Sequence, residues 1–101
     1  MAKKGLRYCE FYGAVDFLKK KIPPPHPICV QRVLLKEDHG RCHFNGDRFT
    51  IVVDRRLSEE MAIETLLHEW AHAISWNSYK PHGPKWGRAY SRVYRTYLGV
   101  D

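Results

Sequence analysis

The sequence predicts a small α+β domain in the order helix, three strands, helix, helix. Three observations predict it. Apolar residues recur at helical spacing near both ends, the middle is rich in β-branched residues, and Pro-rich and Asn-Gly breakers separate the segments. A chain of 101 residues corresponds to one domain, taken as 1–101, with one modest core.

The first helix is expected from about Tyr8 to Ile22, with Phe11, Val15, Phe17, Leu18 and Ile22 on its apolar side. Lys19, Lys20 and Lys21 suit its last turn, where cations complement the helix dipole. The run Pro23-Pro24-Pro25-His26-Pro27 ends it. A first strand is predicted over Ile28 to Leu35, with a turn near Asp38-His39-Gly40 and a second strand over Arg41 to Asn45. Asn45-Gly46 is a tight-turn pair. Phe49 to Val53 reads as a third strand. These three strands are expected to form a small antiparallel meander, with the third at an edge where it would align an extended substrate.

The second helix is the clearest element. Ser58 is placed to cap it, Glu59 and Glu60 occupy its first turn, and its end is expected near Trp76 or Asn77. Ile63, Leu66, Leu67, Trp70, Ala71 and Ile74 form its apolar face. Pro84 suits the first turn of a third helix, and Gly99 suits its C-cap. On that helix Trp86, Ala89, Tyr90, Val93, Tyr94, Tyr97 and Leu98 make a stripe expected to be core. Arg88, Arg92 and Arg95 fall on the other side.

Composition narrows the function. No apolar run approaches the roughly 20 residues that span a bilayer, and Tyr8, Glu10 and Asp16 interrupt any signal-peptide core. A soluble, intracellular protein is expected, cytoplasmic in a microbial or phage setting, with no membrane partner. Cys9, Cys29 and Cys42 are odd in number and widely spaced, which fits reduced thiols rather than a disulfide framework. The net charge of +6 is compatible with an acidic partner, nucleic acid being the commonest, and Arg88, Arg92 and Arg95 are candidate phosphate contacts. A solvated face is the commoner fate of such a run.

The chemistry lies in His68-Glu69-Trp70-Ala71-His72. Residues four apart share one helical face, so His68 and His72 can ligate a single Zn²⁺ ion. Glu69 is offset toward water activated by the metal and serves as general base. A catalytic zinc keeps three protein ligands and one open position. His82, ten residues after His72 in a loop bounded by Pro81 and Gly83, is the best third ligand. The metzincin spacing would need Gly at position 75 and His at position 78, and both are serine. No acid lies between Glu69 and Asp101 to serve instead. Tyr79 and Tyr90 are candidate donors to a developing oxyanion or to substrate, although packing is the commoner role. His26, His39 and His43 read as structural or solvated.

The stretch from Leu66 to Leu98 resembles the SprT-like metallopeptidases, in which a HExxH helix is followed by a His-Gly-x-x-Trp/Phe element opening another helix. Here these are His68 to His72 and His82-Gly83-Pro84-Lys85-Trp86. Phe49 to Glu69 resembles the family's strand-then-helix lead-in. The resemblance implies a minimal zincin-like fold, with His68, His72 and His82 as metal ligands, Glu69 as the catalytic residue and protein or peptide substrates. Some family members act on proteins bound to DNA. No Cys-rich zinc ribbon follows in these residues, so a minimal form without one is expected. Two rival readings remain open. One is a non-catalytic zinc-stabilised module that binds nucleic acid or protein. The other is a metal-dependent hydrolase of a different bond.

Overall fold

A computed structural model describes residues 10–76 and 83–99. It contains three helices and a three-stranded sheet, an α+β arrangement. The elements are α1 (Phe11–Lys21), β1 (Ile28–Val33), β2 (Gly40–Phe44), β3 (Phe49–Asp54), α2 (Glu59–Ile74) and α3 (Pro84–Leu98). Among the described residues, no helix is long and apolar enough to cross a membrane.

α1 and α2 start where their sequence supplies a side-chain cap. α1 begins three residues later than its periodicity predicts. The extended Glu10 takes the N-cap, its carboxylate accepting from the Gly13 N–H at 3.2 Å. Ser58 accepts from the Met61 N–H at 3.2 Å and opens α2. α2 stops at Ile74, slightly earlier than expected. The Ser75 N–H makes the last helical bond to the Ala71 carbonyl, and its hydroxyl donates to the same oxygen at 2.7 Å, which competes with helix continuation. α3 opens with Pro84 in its first turn and ends at Gly99, whose φ of 78° is left-handed.

The sheet is not an antiparallel meander. Its order is β1-β3-β2, with β3 in the centre. β3 pairs parallel with β1 from Ile28↔Phe49 to Val33↔Asp54, and antiparallel with β2 from Gly40↔Val53 to Phe44↔Phe49. The Asn45-Gly46 turn therefore closes a hairpin as predicted. The Asn45 side chain accepts from the Asp47 and Arg48 N–H groups, both at 2.9 Å, and Gly46 takes φ 101°. The first turn is not a hairpin. Segment 34–39 carries the chain across two strand spacings, roughly 10 Å, so that β3 can insert between β1 and β2. β3 claims the centre because it buries most, with Phe49, Ile51 and Val53 at most 1 % exposed. With both its edges paired, β3 cannot be the edge that receives substrate. Among the described residues, β2 is an edge strand.

The core lies between the sheet and the helices. Phe11, Val15 and Leu18 of α1, Ile51 and Val53 of β3, Ile63, Leu66 and Trp70 of α2, and Val93 and Tyr97 of α3 form one buried cluster. Two bonds tie α1 to α2. The Trp70 indole N–H donates to the Ile22 carbonyl at 2.8 Å, and the Phe11 N–H donates to Glu59 at 2.8 Å. At the end of β3, Asp54 is ion-paired with Arg56 at 2.9 Å, and Arg56 also donates to the Leu35 carbonyl. The Arg32 guanidinium bonds the carbonyls of Asp54 and Leu57. These bonds fix the turn that delivers the chain into α2.

Candidate active site

α2 has one apolar and one polar side. The apolar side, including Leu66, Leu67, Trp70 and Ala71, is buried, which fixes the helix's rotation. That rotation turns His68, Glu69 and His72 toward β2 and α3. The two imidazoles stand side by side with ring centroids 5.1 Å apart, as positions i and i+4 require.

Glu69 lies deeper, only 8 % exposed, and no hydrogen bond to its carboxylate is present among the described residues. Burial pushes this carboxyl up to about 7, and the charge of Asp38 acts in the same direction. Its neighbour across the gap is Cys42 of β2. Burial, with a contribution from Glu69, pushes that thiol up to about 12. Cys42 and Cys29 are both free thiols, as expected, and Cys9 lies outside the described residues.

Gly40 sets how closely β2 approaches α2. A Cβ at this position would lie 2.6 Å from Thr65 Cγ2, 3.1 Å from the Val52 carbonyl oxygen and 3.4 Å from Glu69 Cγ. Sequence reasoning found Gly40 only as a turn residue. Its role in close packing leaves the same mark in the sequence as a turn does.

In front of Glu69 is an open cavity of about 460 Å³. Glu64, Thr65, His68 and Glu69 line it from α2, Glu37 to His39 from the segment before β2, Gly40 from its first residue, and Tyr90 from α3. His39, expected to be structural or solvated, thus borders the site. Glu37, Asp38 and Glu64 were not foreseen there, because nothing in their local spacing marks them. Tyr90 was foreseen. Burial, and then the charge of Glu64, raise its phenol above the ordinary value, so it stays a proton donor.

Trp86 does not simply back the site as core. Its ring is half-buried, 5.0 Å from the His68 ring and 5.4 Å from the His72 ring, and it stacks on Tyr90 at 5.0 Å and 13°. Tyr94 continues this wall and donates to Glu64 at 3.1 Å. Arg88, Arg92 and Arg95 lie on the exposed side of α3. His82 and Tyr79 lie outside the described residues.

Away from the cavity, His26, Phe44, Phe49 and Trp76 form an aromatic cluster with neighbouring centroids 4.5–6.0 Å apart. His26 lies exposed over the edge of this cluster. His43 is exposed on β2.

The donor set suits a zinc ion. Two imidazoles share one helix face, a buried carboxylate sits next to them, and the Trp86 ring stands beside both imidazoles. Among the described residues no trio of His, Cys, Asp or Glu side chains is assembled for a metal.

The family model for SprT-like proteins matches residues 11–100. The chain belongs to the SprT-like family. The match spans α1 through α3 and takes in the strand elements as well as the α2 motif. It points to a metallopeptidase-like domain. Searches of curated proteins and of solved structures return no significant match.

Proposed function

We propose that this SprT-like domain is a zinc-dependent endopeptidase. One observation carries the reading: paired imidazoles on α2 beside a buried carboxylate that accepts no hydrogen bond from the described residues and faces an open cavity. Burying a carboxylate costs folding free energy. Work on a substrate explains its presence, and this favours catalysis over a purely structural metal module.

In this reading His68, His72 and His82 hold one zinc ion. When bound, zinc supplies a Lewis acid that polarises the scissile carbonyl and makes water more acidic. Glu69 takes the proton from the attacking water and passes it to the leaving nitrogen as the C–N bond breaks. Tyr90 donates its phenolic hydrogen to the developing oxyanion. Trp86 keeps water from one side of the imidazoles. The outer edge of β2, rather than β3, aligns an extended peptide by strand addition. The exposed Arg88, Arg92 and Arg95 would draw the domain toward nucleic acid and the proteins associated with it.

Metal analysis and a casein or quenched-peptide assay test the proposal. Wild type should hold one zinc ion per chain. His68→Ala, His72→Ala and His82→Ala should each lose it. Glu69→Gln should keep zinc and lose activity by about 10²–10⁴-fold, the range of general-base catalysis. Full activity in Glu69→Gln would remove the proposed base. Full zinc in His82→Ala would remove the third ligand. Adding duplex or single-stranded DNA to the same assay tests the basic face, where Arg88→Ala/Arg92→Ala should lower any stimulation.

A further inference from the structure

The two ends of β2 have unlike surroundings. Near its start, Glu37, Asp38 and Glu64 line the cavity in front of Glu69, and among the described residues no lysine or arginine lines it. Near its other end, outside that cavity, the Phe44 and Trp76 rings pack at a tilt with centroids 6.0 Å apart. Four of the chain's 11 acidic residues thus line one cavity of a protein whose net charge is +6. Asp38 pairs with Arg41 at 3.0 Å, but both side chains are more than half exposed, so the pair is weak and open to exchange. Glu64 keeps one oxygen on the Tyr94 hydroxyl. Glu69, more than nine-tenths buried and without a hydrogen bond from the described residues, faces the same space.

The strand direction orders these ends. β2 runs from Gly40, beside Thr65 and Glu69, to Phe44, beside Trp76 just past the end of α2. Antiparallel addition is the more stable ladder. A peptide added that way enters at Phe44 and leaves past Gly40. The residues that follow its scissile bond then lie among Glu37, Asp38 and Glu64.

We infer that this acidic end is a specificity pocket for a cationic side chain, lysine or arginine, at the first or second residue after the scissile bond. The inference rests on the endopeptidase reading and adds the substrate class to it. Glu37 and Glu64 are its specificity-determining residues, and the Phe44–Trp76 end takes no part in the charge preference.

The zinc-loaded full chain is assayed on quenched peptides that differ only in having Lys, Leu or Glu after the cleaved bond. Cut positions in a mixed peptide library are mapped by mass spectrometry. The Lys peptide should exceed the Glu peptide by about tenfold in kcat/KM, mostly through KM, and the ratio should shrink with salt. In Glu37→Gln/Glu64→Gln the ratio should approach one. Equal cleavage of the Lys and Glu peptides, or a ratio unchanged in the double variant, overturns the inference while leaving the peptidase reading intact.

Binding is read separately by amide chemical shifts in Glu69→Gln, with acetylated tetralysine and tetraglutamate as probes. Tetralysine should shift the amides of Asp38 to Gly40 and of Glu64. If no peptide is cut but these shifts occur, the pocket stands and the endopeptidase reading falls. If tetralysine shifts none of them, the pocket falls.

Discussion

The two halves of α3 carry one aromatic stripe with two fates. Val93 and Tyr97 are at most 1 % exposed, and Tyr97 meets Phe17 of α1 edge-on at 6.2 Å. Trp86 and Tyr90, two to three turns before Tyr97, are half-buried against His68. The difference comes from what α3 meets along its length. Its C-terminal half packs on α1 and the apolar side of α2. Its N-terminal half packs on the polar side of α2. The same residue types therefore stabilise the fold in one half and shape the candidate site in the other.

The largest effect should come from breaking the core half. Tyr97→Ala should cost about 3–5 kcal/mol, the range for emptying a buried aromatic site, read by urea unfolding. Trp86→Ala should cost clearly less stability and, on the proposed zinc reading, weaken zinc retention by about tenfold as support around the proposed ligands is lost. If the two variants cost the same stability, α3 has one role rather than two.

Gly40→Ala probes the site from its strand side. Its methyl would press on Thr65 and on the Glu69 stem, so a loss of about 1–3 kcal/mol is expected from overpacking. Activity should fall further than that loss predicts, since Glu69 is displaced. A variant with wild-type stability would show that β2 can move away freely.

The smallest effect concerns Asp54, on the structural side of the molecule. The Arg56 hydrogen bonds lower its carboxyl from 3.8 to about 2. Because the folded value lies below the ordinary one, the ionised form stabilises the fold above pH 3.8. That contribution fades as pH falls from 3.8 toward 2. Asp54→Asn should lower stability at pH 7 and flatten the stability profile within that window. An unchanged profile would mean that the Arg56 pair adds nothing to the fold.

α2 was legible because its signals are local. Ser58, Glu59 and Glu60 mark its start, and the spacing of Ile63, Leu66, Leu67 and Trp70 marks its buried side. The Asn45-Gly46 hairpin was legible for the same reason. Strand order was not, because Ile28 finds Phe49 across 21 positions and no short-range pattern encodes that pairing. On α3, periodicity correctly placed Trp86, Tyr90 and Tyr97 on one side. It could not say that part of this side meets histidines rather than leucines, because a neighbour's chemistry is not written into a helix's own period. His68, Glu69 and His72 stood out by spacing. Glu37, Asp38 and Glu64 gather only through the fold.

The central position of β3 also constrains how the chain matures during synthesis. β1 emerges first, and its described partner strand is not made until residue 54, about 21 positions later. At ribosomal speeds that delay is roughly 1–4 s. Throughout it, Ile28, Val30 and Val33 have no sheet to join. The β2–β3 hairpin, closed by a short local turn, can form as soon as it appears and offer β1 a template. The N-terminal third of this domain therefore waits for the middle third.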